Sequence, residues 1–157
     1  MPFALSVVAH NGDFEVLECK VRIAFLTVVV TIFNRRGISR THTLSDISTT
    51  ELSIFIATLR GRDFVIKCLP LPELDFEDAF RQAVTEYCLL KVAADLRVGP
   101  RVGGIFGFDL ILSDGCIEFA MERCYPVGPW NKTEGFALQK KLWTLHLLRI
   151  VHMDIKP

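Results

Sequence analysis

Short apolar blocks separated by polar residues run through residues 1–40, and they predict strands. Phe14 to Leu17 and Val21 to Phe33 are the candidate strands there. Within the second, Ile23 to Phe33 is the longest apolar run of the chain and is rich in Val, Ile, Thr and Phe, which favour buried strands. A membrane-spanning helix needs roughly 20 apolar residues, so this run is too short to be one.

From Thr41 onward the alternation becomes more regular. Leu44 to Ile47, Leu52 to Leu59 and Phe64 to Leu69 are the next predicted strands. Arg60 to Asp63 separates the last two and contains a glycine, which permits the positive φ of a tight turn. The pattern therefore predicts an antiparallel meander.

The spacing of apolar residues then changes to that of a helix. Asp75 is a plausible N-cap, and Glu77 and Asp78 would place negative charge in the first turn, where it suits the helix dipole. Gly99 and Pro100 are expected to end the helix. Steps of three and four residues place one set of side chains on a single face: Ala79, Ala83, Glu86, Leu90 and Ala94.

Two strands and a final helix complete the predicted order. The strands are Val102 to Leu112 and Cys116 to Met121. After a break rich in Pro and Gly, a helix is expected from Thr133 to Arg149. Its apolar stripe is Leu138, Leu142, Leu145 and Leu148. Strands and helices segregated in this way predict an α+β fold rather than a parallel α/β sheet.

Composition adds few functional constraints. The 157 residues contain 18 Lys+Arg and 18 Asp+Glu, so bulk charge favours neither a nucleic acid nor an anionic membrane as a partner. The five cysteines include no CxxC, and neither they nor the four histidines have metal-ligand spacing, so no metal site is predicted. Buried thiols in a reducing compartment are expected. The sequence shows no targeting segment, which makes the cytoplasm the expected location.

The end of the chain has the most specific motif. The run LHLLRIVHMDIKP, which ends at Pro157, resembles the end of a helix and the catalytic loop of eukaryotic-type protein kinases. The resemblance implies that Asp154 orients the substrate hydroxyl and accepts its proton, and that Lys156 helps to hold the transferring phosphate. His152 corresponds to a histidine that braces the loop.

Two further positions fit the same family. Lys67, in the strand FVIKCL, resembles the lysine that holds the α- and β-phosphates of ATP in protein kinases. Glu86 follows on the next predicted helix and resembles the helix C glutamate that pairs with this lysine. Taken alone, Lys67 is better explained as a lysine on the solvent face, and Glu86 has the alternative of a surface glutamate on an amphipathic helix. The element order and the spacing of the two residues favour the functional interpretation of both together.

The segment IEFAMERC resembles the fifth strand and hinge of protein kinases. The resemblance implies that Met121 is the gatekeeper and that the backbone from Glu122 to Cys124 hydrogen-bonds the adenine. The motifs occur in the family order of lysine, helix C glutamate, hinge and catalytic loop.

The resemblance implies a protein-kinase-like N-lobe, made of an antiparallel sheet plus helix C, followed by the hinge and the first C-lobe helix. Residues 1–40 would be a strand-rich extension and residues 41–157 a partial kinase-like domain, with the N-lobe at about 41–124 and the hinge and start of the C-lobe at about 125–157. The implied activity is transfer of the ATP γ-phosphate to a protein hydroxyl, of the Ser/Thr type. The magnesium ligands and the rest of the C-lobe would lie beyond Pro157, so this chain by itself is expected to be inactive.

Two departures from the family keep an alternative open. Residues 47–52, where the glycine-rich loop belongs, contain no glycine, and Met153 replaces the arginine of the catalytic loop. The alternative is a catalytically inactive kinase-like module that binds or regulates a partner. A small-molecule kinase is a third possibility, which the IVHMDIKP run disfavours.

Overall fold

The computed structural model describes residues 3–11, 14–35, 47–49, 52–103, 107–113, 115–125, 128 and 131–151. Within these residues the fold is α+β, with nine strands in one sheet and two α-helices. The strands are β1 (Phe3–Asn11), β2 (Phe14–Ile23), β3 (Leu26–Arg35), β4 (Ile47–Thr49), β5 (Leu52–Leu59), β6 (Arg62–Pro70), β7 (Val102–Gly103), β8 (Leu110–Ser113) and β9 (Cys116–Glu122). A short 3-10 helix (Glu73–Asp75) leads into α1 (Phe76–Asp95), and α2 (Lys132–Leu147) follows the sheet.

The sheet has the order β1-β2-β3-β8-β9-β6-β5-β4, and β7 also pairs with β9. Neighbouring strands are antiparallel except β3 and β8, which are parallel. The antiparallel pairing predicted for Leu52 to Leu59 and Phe64 to Leu69 is confirmed, and the one parallel pair joins the N-terminal strands to the rest of the sheet. Residues 3–35, which the sequence set apart as an extension, contribute three strands to the same sheet.

The N-terminal strands differ from their predicted bounds. β1 was not predicted, and the apolar run from Ile23 to Phe33 is interrupted by a turn at Ala24 and Phe25. Ala24 has a φ of 53°, which makes the tight reversal between β2 and β3. Composition alone does not reveal this turn, because neither of its residues is a typical turn former.

The strands after residue 46 match their predictions more closely. β5 has the predicted bounds, and β6 extends the predicted strand by a few residues at its N-terminal end and by Pro70. The turn between them places Arg60 at a φ of 52° and Gly61 at a φ of 75°, the two positive values that a tight hairpin requires. The predicted strand Val102 to Leu112 forms as two pieces, β7 and β8. Residues 44–46 lie outside the described residues.

Helix α1 packs against one face of the sheet, which is called the helix face. The opposite face is called the far face. The helix face carries Lys67 and Phe119, and the Phe119 ring packs edge-on against Tyr87 of α1 with ring centroids 5.3 Å apart. Neighbouring residues on a strand point to opposite sides. The far face therefore carries Cys68 and Glu118, which pair directly across β6 and β9. The main core lies between α1 and the helix face.

The buried side of α1 is rotated from the predicted one. The residues it buries are Phe80, Ala83, Val84, Tyr87, Cys88 and Val92. Of the predicted face, Ala83 is buried, whereas Glu86 lies at its edge and is partly exposed. The reason is that β2 and β3 extend the sheet beneath the helix, so α1 turns its large side chains toward them; Phe80 packs against Phe3 of β1 with ring centroids 6.1 Å apart.

The N-terminal end of α1 was predicted at the right place, whereas the helix ends at Asp95, before the predicted Gly99 and Pro100. Asp75 occupies the N-cap position but makes no side-chain capping hydrogen bond. At the C-terminal end the residue with positive φ is Arg97, at 58°, and the Val98 N–H donates to the Ala93 carbonyl at 2.9 Å. Gly99 is instead a site of close packing, since a Cβ there would lie 3.1 Å from that of Ala93.

A polar cluster around Asp109 joins α1 to the N-terminal strands. One Asp109 carboxylate oxygen accepts hydrogen bonds from the Tyr87 hydroxyl at 2.8 Å and from Lys91 Nζ at 3.2 Å. The other accepts from the Thr31 N–H at 2.8 Å and from the Thr31 hydroxyl at 3.1 Å. Burial raises the pKa of the Tyr87 phenol, and the neighbouring Asp109 raises it further. The cluster ties β3, α1 and the start of β8 together.

Helix α2 begins with a capping box. The Asn131 side chain accepts a hydrogen bond from the Glu134 N–H at 2.9 Å, and the Glu134 side chain accepts one from the Asn131 N–H at 2.7 Å. Of the predicted leucine stripe, Leu145 is buried and Leu148 packs against the main core, so the C-terminal end of the stripe faces the protein. Neither α1 nor α2, the two helices in the described part of the chain, is long and apolar enough to cross a membrane.

Candidate functional site

Lys67 and Glu86 meet on the helix face of the sheet. Lys67 Nζ donates to a carboxylate oxygen of Glu86, 19 residues later in the chain. Strand β6 supplies the lysine at the centre of the sheet, and α1 supplies the glutamate at the edge of its buried side. The side chains are 22% and 40% exposed, so the pair is accessible to a ligand. The sequence placed these two residues in one site, and the structure brings them together.

An apolar surface adjoins this ion pair. Ile54 lies opposite Lys67, Ile56 lies opposite Val65, and Val65 in turn lies opposite Met121. Directly paired residues project from the same face, so all five share the helix face. Both isoleucines are exposed, because α1 does not extend over β5. An exposed apolar surface beside an ammonium group offers a ligand both an apolar and an anion-binding region.

The predicted hinge is partly engaged within the protein. The Glu122 N–H donates to the Arg101 carbonyl at 2.7 Å, and the Glu122 carboxylate accepts from the Arg101 N–H at 3.1 Å. The Glu122 N–H is thus committed to a hydrogen bond within the protein. Cys124 is exposed there, unlike the other four cysteines.

The same segment is held by a second ion pair. Arg123 donates to Asp63 at 2.8 Å, and its guanidinium lies 4.9 Å from the centre of the Tyr125 ring. A hydrogen bond from Thr58 at 2.7 Å, together with Arg123, holds the pKa of the Asp63 carboxyl below its ordinary value of 3.8. These contacts fix the end of β9 against the turn between β5 and β6.

The hairpin of β4 and β5 corresponds to the predicted position of a phosphate-covering loop. Thr49 pairs with Leu52, so only residues 50 and 51 connect the strands. A two-residue connection without glycine is a poor phosphate cradle, because close approach of the backbone to phosphate depends on glycine. The connection between β4 and β5 is therefore less suited to contact the phosphates of ATP than the pair of Lys67 and Glu86 is.

A cavity of about 730 Å³ lies at the end of β9. That volume is within the usual range for small-molecule sites. Phe64, Ile66 and Ala120 line it from the far face, and Met121 and Glu122 also contribute. Lys67, Glu86 and Cys124 are not among its lining residues. The cavity therefore adjoins the predicted hinge without containing the ion pair.

The predicted catalytic residues Asp154 and Lys156 lie outside the described residues, as do His152 and Met153. Their distance from Lys67 and Glu86 is not defined by the structure. Their assigned roles stay predictions.

Two polar clusters were not found by sequence reasoning. One is the Asp109 cluster, whose members come from three separate elements. The other combines Cys68, Cys116 and Glu118 on the far face, where potential ligand atoms of all three lie within 4.8 Å of one another. No sequence spacing reveals either cluster, because strand pairing brings together residues that are far apart in the chain.

The other cysteines behave largely as expected. Cys19 and Cys88 are buried in the main core, and burial raises their thiol pKa values to about 11 and about 12. Such thiols are protonated at neutral pH and chemically inert. The expectation of buried thiols was wrong for Cys124, which lies on the exposed segment after β9.

No protein-family model matches the chain, and no curated protein or solved structure matches it.

Proposed function

We propose that this chain contains the nucleotide-binding part of a protein-kinase-like domain and that Lys67 and Glu86 bind ATP. The observation that carries the proposal is the contact between these two side chains, one from the centre of a sheet and one from the helix that covers it. A carboxylate partner holds the ammonium in place, so that it meets the α- and β-phosphates of ATP in one orientation.

The surroundings of the ion pair support a nucleotide. Ile56, Val65 and Met121 form an apolar surface on the same face, suited to the base, while Lys67 supplies the positive charge for the phosphates. Counted from Ile47, and with β7 and β8 taken as one interrupted strand, the lysine lies on the third strand and the hinge follows the fifth. One helix separates them, which is the order that the resemblance implies.

The activity proposed for the domain is transfer of the ATP γ-phosphoryl group to a protein hydroxyl. The bond between the γ-phosphorus and the β–γ bridging oxygen breaks, and a bond forms to the hydroxyl oxygen. Asp154 would accept the hydroxyl proton, and Lys156 would stabilise the transferring phosphate. Magnesium would neutralise charge on the phosphates.

Thermal unfolding of the chain with and without ATP–Mg²⁺ tests the nucleotide site. We expect ATP–Mg²⁺ to raise the melting temperature, because a ligand that binds only the folded state stabilises it. Lys67→Met and Glu86→Gln are expected to lose this rise. The matched controls are Lys20→Met, a strand lysine near Glu18, and Glu77→Gln, which changes an exposed glutamate of α1.

The controls determine the conclusion. If Lys20→Met lost the rise as fully as Lys67→Met did, binding would be nonspecific and the site would be wrong. If the folded parent gave no rise at up to millimolar ATP–Mg²⁺, the nucleotide-binding proposal would be rejected.

A second candidate is a kinase-like module that binds a partner without catalysis. Two observations favour it: the hairpin of β4 and β5 has a two-residue connection without glycine, and the 730 Å³ cavity does not include Lys67. A folded chain whose melting temperature does not change with ATP–Mg²⁺ would favour this candidate. Phosphotransfer by a longer protein that contains this chain, lost in its Asp154→Asn variant, would exclude it.

A further inference from the structure

The far face of the sheet holds a compact group of two thiols and one carboxylate. Cys68 on β6 pairs directly with Glu118 on β9, and Cys116 lies two residues before Glu118 on the same strand. All three side chains therefore project from one face. The two Sγ atoms and a carboxylate oxygen of Glu118 lie within 4.8 Å of one another, and Cys116 Sγ is 3.9 Å from Glu118 Oε1.

These separations are close to those of a metal site. Zinc binds cysteine sulfur at about 2.3 Å and carboxylate oxygen at about 2.0–2.2 Å, so neighbouring ligands of a tetrahedral ion are roughly 3.5–3.8 Å apart. The measured 3.9 Å between Cys116 and Glu118 is near this range. Small side-chain rotations, without movement of the paired strands, would bring the three atoms around one ion.

The burial of the group also suits a metal. Cys68 is 5% exposed and Cys116 is 6% exposed, whereas Glu118 is partly exposed. The two sulfur ligands are sheltered from solvent, whereas the carboxylate is accessible. A fourth ligand can therefore enter from the carboxylate side. Ile66 packs against the cluster that Cys68 and Cys116 form and also lines the 730 Å³ cavity, so the group borders that cavity.

We propose that Cys68, Cys116 and Glu118 form a Zn²⁺ site whose fourth ligand is water or a bound molecule. The ligand set selects the metal: thiolates favour zinc, whereas magnesium requires oxygen ligands. Binding replaces the protons of the two thiols, which pass to solvent. The site lies on the opposite face from Lys67 and is independent of the proposed nucleotide function.

Zinc titration of the metal-free, reduced chain tests the proposal. We expect one Zn²⁺ per chain, and Cys68→Ala and Cys116→Ala should each abolish stoichiometric binding. Glu118→Gln should weaken binding on the order of 10–100-fold or more, because even loss of a hydrogen bond to a metal ligand has an effect of this size. Cys124→Ala removes an exposed thiol outside the group and should bind as the parent does.

A second measurement uses the unchanged chain and does not depend on the folding of variants. Co²⁺ in place of Zn²⁺ should give a sulfur-to-cobalt charge-transfer band with the intensity expected for two thiolate ligands. It should also give the visible spectrum of a four-coordinate ion. Zinc should displace the cobalt and remove both features. A chain with native circular dichroism and no charge-transfer band would overturn the proposal.

Two other results would also overturn it. One is zinc binding that survives in both cysteine variants or disappears in Cys124→Ala, because the ligands would then lie elsewhere. The other is a Cys68–Cys116 disulfide that peptide mapping finds under the titration conditions, with no zinc bound, because the same sulfurs cannot serve in both.

Discussion

The two ends of the sheet differ in how they are packed, although the same face of each is apolar. On β3, Ile32 is 0% exposed beneath α1, whereas on β5 Ile56 is 49% exposed. Helix α1 lies over the strands that include β2, β3 and β9, and it leaves the apolar face of β5 uncovered. The N-terminal strands thus contribute to the stable core, and the β5–β6 side keeps an accessible surface beside Lys67.

The packed side also positions the accessible one. Phe3 packs against Phe80 near the start of α1, and Asp109 joins Thr31 to Tyr87 farther along the helix. These contacts hold the helix on which Glu86 lies. We infer that the N-terminal strands help to orient Glu86 toward Lys67 by holding this helix.

The largest expected effect is on the free energy of unfolding, and it differs between two isoleucines on the same face of the sheet. Ile32→Ala should lower the free energy of unfolding by about 2–5 kcal/mol, because it leaves a cavity in a closed core. Ile56→Ala should lower it by less than about 1 kcal/mol, because that side chain is already half exposed. Urea denaturation measures both values, and equal losses would contradict the comparison.

The next effect concerns the link between the two sides. Asp109→Asn removes the charge that accepts hydrogen bonds from Tyr87, Lys91 and Thr31, so we expect a loss of about 1.5–3 kcal/mol. Asp78→Asn changes an exposed carboxylate of α1 and serves as the control. Urea denaturation again gives the values, and similar behaviour of the two variants would show that the cluster is not an anchor.

A smaller change in stability is expected at the candidate site itself. Lys67→Met should alter the free energy of unfolding by less than about 1 kcal/mol, because the ion pair with Glu86 is partly exposed and screened by water. The same variant is expected to lose the response to ATP–Mg²⁺. A loss of several kcal/mol would instead indicate that the pair is structural.

The smallest effect is a pH dependence at Asp63, which pairs with Arg123 of the predicted hinge. Because the folded pKa of Asp63 lies below 3.8, its carboxylate favours the folded state above that pH, and this contribution disappears as pH falls through the folded value. NMR titration should place the midpoint below 3.8. Thr58→Ala and Arg123→Gln should each raise the midpoint, because the Thr58 hydrogen bond is the largest single cause and Arg123 contributes both a hydrogen bond and its charge. A midpoint that neither variant changes would contradict this explanation.

The sequence predicted local structure best where period and turn chemistry agreed. β5, the glycine turn after it and both helices were predicted close to their observed bounds, because each depends on residues near in sequence. The prediction from sequence failed at Ala24, where an alanine adopts a left-handed conformation that no composition rule anticipates. It also missed β1, whose pairing with β2 is a property of the sheet.

The candidate site was only partly predictable for the same reason. A resemblance in motif order was enough to join Lys67 to Glu86, since one strand and the following helix carry them. The Asp109 cluster and the group formed by Cys68, Cys116 and Glu118 depend on which strands become neighbours. Asp109 reaches Thr31 because β8 pairs in parallel with β3, a choice that no local pattern encodes.

The sequence by itself thus determined the α+β class, most strand and helix positions and the pairing of Lys67 with Glu86, since local periodicity and motif order carry that information. Tertiary structure alone decided that residues 3–35 share the sheet, that α1 turns toward them, and that Cys68 meets Glu118. These outcomes follow from strand pairing and burial between distant segments, whose energies depend on the whole sheet being formed.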